Sequence, residues 1–347
     1  MLLKKQLFPV YLFLFSLLFL SPVKAEEFSS AHEYMGYTTE QYEDLVKESW
    51  QYVKSIGRGR SDRKIAKKRN DLMKELKYAQ KVIKKMPSFE GNTALRDSVI
   101  EYLNINYIVL SRDYEKILDM KKIAEESYDL MEAYMTARKK ANQKLEQATD
   151  MVVEAQKDFA EKYNINIIKN DSRLSKKLKI SSKVFDYHDK IYLAFFKNYK
   201  QEMYMLEALQ NEDINSLEQN RNTLIKFTEE ELERLKEIGP YESDMSLNYA
   251  TRDILRFYKE EADARMPTLI DYLMKKEQFD KLKQAFDNKK KSGRTQEDID
   301  QYNKAINDIN AAAKKYNTMN EYLTGQRNEY IANWNKTSEK FLKKHTP

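Results

Sequence analysis

Almost nothing in this chain can break a helix. Seven glycines and six prolines are spread over 347 residues, and two of the prolines, Pro9 and Pro22, fall before residue 25. A sheet needs turn residues about every ten positions, whereas a helix interior excludes proline at a cost of about 3 kcal/mol. A chain this poor in both, with 41% hydrophobic and 33% charged residues, is committed to amphipathic helices around a packed core. The predicted fold class is all-α.

Capping and breaking signals divide the chain. Thr38-Thr39-Glu40-Gln41 reads as a capping box opening a helix over 38–56, which Gly57-Arg58-Gly59-Arg60 ends. A second helix over 61–86 stops before Pro87, as helices do, and a third starts at Asn92-Thr93. The most regular stretch of the first half is Tyr134, Ala141, Leu145, Ala148, Val152, Ala155 and Phe159, with Arg138 in the remaining slot. Its three–four spacing is coiled-coil-like and keeps one seam facing a partner helix. Residues 164–180 look like a connection between halves. Further helices are expected over 182–211, 213–238, 246–265 and 267–290. A last one opens at the capping box Thr295-Gln296-Glu297-Asp298, with Gly325 as a candidate kink, and passes Trp334 to about residue 341.

This order predicts two tandem antiparallel helical bundles, over 26–168 and 169–347, the second a copy of the first. Pro87 precedes Tyr163 by the same interval as Pro240 precedes Tyr316. Arg96-Asp97 pairs with Arg252-Asp253, and Tyr163-Asn164 with Tyr316-Asn317. A repeat this long makes whole bundles and not the short units of a solenoid.

Residues 89–168 carry a resemblance. Gly91-Asn92-Thr93, Leu95-Arg96-Asp97, Asp113-Tyr114, the run Ser127-Tyr128-Asp129-Leu130-Met131-Glu132-Ala133-Tyr134, and Phe159-Ala160 are similar to an uncharacterised family of exported, all-helical bacterial surface proteins. Membership implies an exported helical protein and assigns no reaction.

The N-terminus agrees with export. Lys4 and Lys5 precede an apolar run over 7–20; Ser21-Pro22 breaks it, and Val23-Lys24-Ala25 places small residues at −3 and −1. That is the layout of a cleaved signal peptide over 1–25, and the run is short for the ~30 Å of a hydrocarbon core. With no cysteine in the chain, disulfides, thiolate chemistry and a lipoprotein anchor are excluded. Loss of Lys4, Lys5 and Lys24 lowers the net charge from +6 to about +3, too little to argue for nucleic acid or an anionic membrane.

Chemistry is sparse. The three histidines are His32 in a polar lead-in, His345 near the end, and His188 on a helix with Phe185, Tyr192 and Phe196, where a packed structural role is expected. The chain lacks the histidine–carboxylate spacing of zinc or di-iron sites, a phosphate loop and a nucleophile elbow. Gly57-Arg58-Gly59-Arg60 and Lys289-Lys290-Lys291-Ser292-Gly293-Arg294 read as inter-helix turns. The 24 tyrosines are expected at core–solvent boundaries, with an aromatic groove as the alternative. The best groove candidate is the stripe Tyr192, Phe196, Tyr199, Met203 and Leu206; Phe195 is expected at its edge. No catalytic, cofactor-binding or metal-ligating residue is nominated, and no cofactor is implied. The expected class is a non-enzymatic exported protein of the periplasm or cell surface. It binds or scaffolds a protein or envelope partner and has no membrane span once the leader is removed. The alternatives are a small apolar-ligand carrier with an inter-helix pocket and a membrane-active helical protein.

Overall fold

The computed structural model describes residues 28–167 and 172–347. The leader expected over 1–25, its cleavage after Ala25, and residues 168–171 of the expected connection lie outside them. Among the described residues the regular structure is helical, apart from two isolated bridges, Phe89 with Asn92 and Tyr241 with Asp244. The chain forms two compact units. The first comprises Met1–Asp189 with Glu339–Pro347, and the second Lys190–Ser338.

The first unit holds α1 (Ala31–Gly57), α2 (Asp62–Ile83), α3 (Ala94–Ile108), α4 (Tyr114–Ala124), α5 (Tyr128–Lys162) and the start of α6 (Arg173–Gln210). Helix α2 packs on α1 and α3, and α5 packs on α3 and α4. A π-turn, Val109–Asp113, joins α3 to α4. The coiled-coil-like seam of α5 is largely core: Tyr134, Arg138, Ala141, Leu145, Ala148, Val152 and Phe159 are buried, and Ala155 is half-buried. Phe28, Tyr34, Phe89, Phe159 and Tyr163 form a linked set of ring contacts with centroids 4.6 to 6.1 Å apart. The residues carrying the family resemblance are therefore partly packing residues and partly the turn at Phe89.

Helix α1 starts seven residues before the predicted capping box. Ser30 is the N-cap, its hydroxyl accepting from the Glu33 amide at 3.2 Å. Thr38 and Thr39 are buried inside the helix and donate back to the Met35 carbonyl. A Thr-Thr pair bonded to the preceding turn carries the same residue types as a cap, so composition alone misplaced the start. His32 accordingly lies in the first turn of α1 and not in a lead-in, and His345 is the last residue of α10. The connection expected over 164–180 is also shorter, because α6 is helical from Arg173. The division between units falls inside α6, at Asp189/Lys190; the boundary expected at 168/169 lies outside the described residues.

The second unit holds the rest of α6, α7 (Ile214–Ile238), α8 (Ser246–Glu260), the π-turn Glu261–Arg265, α9 (Met266–Asn288) and most of α10 (Gln296–His345). Asp213 caps α7 by accepting from the Ser216 amide at 3.0 Å. Thr295 and Asp298 exchange the two bonds of a capping box, at 3.2 and 2.9 Å, as predicted. Helix α10 passes through Gly325 without interruption.

One spacing recurs between the units. Adding 152 to the start of α2, the Phe89–Asn92 bridge, the positive-φ Glu90, both ends of α3, both ends of its π-turn and the start of α4 gives the matching feature around α7, α8 and α9. The buried residues of α2, namely Ile65, Leu72, Leu76, Ala79 and Ile83, likewise map onto Leu217, Leu224, Thr228, Glu231 and Leu235, the buried residues of α7. In this register Arg96 matches Asn248 and not Arg252. Arg96 donates to the Met86 carbonyl at 3.0 Å, and Asn248 to those of Leu235 and Gly239 at 2.8 and 3.2 Å. Both hold the end of the preceding helix. The Arg-Asp match is thus one helical turn out of register. The Tyr-Asn match also joins unlike places, since Tyr163 caps α5 while Tyr316 lies inside α10.

Candidate functional site

The site is a cavity of about 500 Å³ in the first unit, within the range of small-molecule pockets. Its walls follow from helix register. On α2, Asp62, Ile65, Ala66 and Arg69 recur at three- and four-residue steps and so share a face. On α4, Tyr114, Ile117, Leu118 and Lys121 do the same, displaced by the preceding π-turn from the face that α3 presents. Tyr52 of α1 and Tyr134 of α5 complete the wall. Asp62, Glu115, Asp119 and Lys122 are exposed at the rim, and Asp119 is tied to Lys122 at 2.8 Å.

Inside, the chemistry is aromatic and cationic. Burial pushes the Tyr52, Tyr114 and Tyr134 hydroxyls above the ordinary tyrosine range, so they stay neutral. Burial pulls the Lys121 ammonium below the usual lysine range, while Asp62 and Glu125 act the other way. The Arg138 guanidinium lies 5.5 Å from the Tyr134 ring and bonds to Asp189 at 2.9 Å. The Nε and Nη1 of Arg69 are buried and meet no hydrogen-bond acceptor. A second cavity of about 390 Å³, by Ile105, Val109 and Met151, is bordered by the exposed Lys144–Asp113 pair and has no comparable buried cation.

The features singled out from sequence serve packing and turns. Gly57-Arg58-Gly59-Arg60 closes α1 as a Schellman motif. Gly59 takes φ +59°, its amide donates to Ile56 at 2.8 Å, and the Arg60 amide donates to Ser55 at 3.0 Å. In the basic loop, Lys289 pairs with Asp298, and the Arg294 guanidinium lies 4.1 Å from the Phe286 ring centre. His188 is buried, 3.9 Å from the Asp189 carboxylate.

The stripe of α6 is core in part: Tyr192 and Phe196 are buried, Tyr199 and Leu206 are half-buried, and Met203 is 40% exposed. Phe195, expected at its edge, is fully buried and stacked on Trp334 with centroids 4.1 Å apart. Tyr34, Tyr42, Tyr102, Tyr134, Tyr192 and Tyr258 are likewise fully buried, deeper than the boundary position expected for tyrosine.

One polar cluster went unread in the sequence. In the second unit Glu202 of α6 and Glu261 of the π-turn, both buried, share Arg327 of α10. Its Nε lies 2.8 Å from an oxygen of each, and Nη2 also bonds Glu261. Burial and the neighbouring Glu261 push Glu202 up to about 8, against the opposing pull of Arg327. Burial likewise raises Glu261. Each member is one charge among many in the sequence, and no local spacing links the three.

No family profile, curated protein or solved structure matches the chain. No helix among the described residues is long and apolar enough to cross a membrane.

Proposed function

We propose that this is an exported, non-enzymatic binding protein whose two units arose by duplication and whose first unit keeps a pocket for a small molecule. The observation that carries the reading is the tyrosine-lined cavity of about 500 Å³ between α2 and α4. The recurrence of elements at 152 residues supports duplication. The leader over 1–25 and the resemblance to exported surface proteins support export to the periplasm or cell surface. A binding role in preference to catalysis is supported by the fate of the most perturbed carboxylates. Glu202 and Glu261 are spent on Arg327 inside a core and do not face the cavity.

Ligand-observed NMR with small aromatic compounds tests this reading. Saturation transfer is expected with the natural chain and sharply reduced in Leu118→Trp, where the indole intrudes into the cavity. Undiminished transfer in that variant, or none from the natural chain at millimolar compound, refutes it. Export is tested separately by sequencing the N-terminus of released protein, which should begin at Glu26.

A further inference from the structure

The two units treat one arginine in opposite ways. Arg69 of α2 and Arg221 of α7 stand 152 residues apart, at matching positions of helices whose buried faces coincide. Arg221 is satisfied within its unit: Nε donates to Glu218 at 2.9 Å and Nη1 to the Ala262 carbonyl at 3.4 Å. Three residues before Arg69 the chain has Ala66 in place of that glutamate. The Nε and Nη1 of Arg69 are left buried with no acceptor, on the wall of the cavity. Arg69 as a whole is half-buried, but two guanidinium nitrogens taken out of water without an acceptor are unfavourable unless something supplies one.

A second position changes in the same sense. Lys121 of α4 matches Leu273 of α9, which is buried core. Relative to its counterpart the inner wall has lost an acid and gained a base, while the rim carries Asp62, Glu115 and Lys122 where the second unit has Ile214, Pro267 and Met274. The remaining charges set the limit. Arg138 is answered by Asp189, Asp119 by Lys122, and Asp62 and Glu125 act on Lys121. Glu115 and Asp62 stand exposed at the rim, where they disfavour a multiply charged anion. The inner wall therefore calls for one negative charge, and the rings of Tyr52, Tyr114 and Tyr134 call for a flat apolar body beside it.

We infer that the cavity of the first unit binds a small aromatic carboxylate, whose carboxyl group takes at Arg69 the place that Glu218 takes at Arg221. The inference rests on the binding role proposed above and adds the class of ligand. A carboxylate there would make a charge-assisted hydrogen bond, roughly twice as strong as a neutral one.

The test uses the full mature chain, titrated calorimetrically with 2-naphthoate and with 2-naphthamide, its uncharged isostere. Naphthoate is expected to bind about tenfold or more tightly than the amide. Arg69→Met is expected to abolish that preference. Ala66→Glu, which installs the internal partner seen at Glu218, is expected to weaken naphthoate by a similar factor while the melting temperature holds or rises, so that loss of binding cannot be loss of fold. Equal binding of acid and amide, or undiminished naphthoate binding to either folded variant, overturns the carboxylate assignment and leaves the pocket standing. Absence of binding by both probes to the natural chain at millimolar concentration overturns the pocket as well.

Discussion

At the scale of single residues, what decides an outcome is how many sides of a side chain are covered. Phe195 and Phe196 are both fully buried, and Phe195 stacks on Trp334 while Phe196 stacks on Tyr192. Each change to alanine is therefore expected to cost about 3–5 kcal/mol in denaturant unfolding; a loss below about 1 kcal/mol at Phe195 would contradict its place in the core. Helical spacing told which residues of α6 share a face. It could not tell that neighbouring faces are covered too, as the burial of Ile191, Ala194, Phe195 and Asn198 shows.

The Glu202–Arg327–Glu261 cluster was equally illegible, because its three members come from distant parts of the sequence. Its titration has a definite sign. The folded-state pKa of Glu202, about 8, lies above its ordinary 4.5, so the native protein holds a proton that the unfolded chain releases. The stabilisation from that proton is full below about pH 4.5 and is lost as pH rises towards 8. Glu202→Gln, which mimics the protonated form, should flatten the decline in unfolding midpoint between pH 6 and 8.5. A wild-type slope in that variant would show that the cluster does not titrate there.

At the scale of elements, caps and breakers were readable where they act through adjacent residues, and unreadable where tertiary contact decides. Thr295 with Asp298, the stop before Pro87 and the glycine turn after α1 were all visible as local chemistry. The two π-turns were not. A π-turn is an insertion that packing tolerates, and Val109–Asp113 and Glu261–Arg265 share little beyond their position. Much of the cavity depends on this, since α4 owes its orientation to the turn before it, so Tyr114 and Lys121 could not be placed against Arg69 from sequence. Among the caps, Ser127 gives a clean test. Its hydroxyl accepts from the Leu130 amide at 3.2 Å at the head of the 35-residue α5. Ser127→Ala should cost about 1 kcal/mol, read as a lowered denaturation midpoint. Thr38→Ala, which removes no cap, should leave the start of α1 unchanged by amide hydrogen exchange.

At the scale of the whole molecule, the sequence conveyed the all-α class, and it placed a division of the chain where composition changes. Ile165, Ile167 and the basic residues after them look like a linker because they break the apolar pattern. Yet the structure divides the chain at 189/190 and returns 339–347 to the first unit. The reason lies in which residues each end of a long helix touches. Tyr187 of α6 meets Phe341 of α10 at 5.4 Å, and Thr346 lies against Gly57 of α1, all within the first unit. Tyr192 and Phe195 belong with Trp334 in the second, where the indole also donates to Thr251 at 2.8 Å. A fragment cut at 190 and 338 keeps the Arg327 cluster and the Trp334 stack intact. A fragment cut at 172 carries residues 172–189 and 339–347 without α1 and α5 to bury them. Domains of roughly 150 residues bury about 70% of their chain surface on folding, enough for cooperative behaviour. Residues 190–338 alone are therefore expected to be helical by circular dichroism and to melt in a single transition. Residues 172–347 should melt at a similar temperature, with the added helix ends unprotected in hydrogen exchange. A broad, transition-free melt of 190–338 would mean that its core is completed by the first unit.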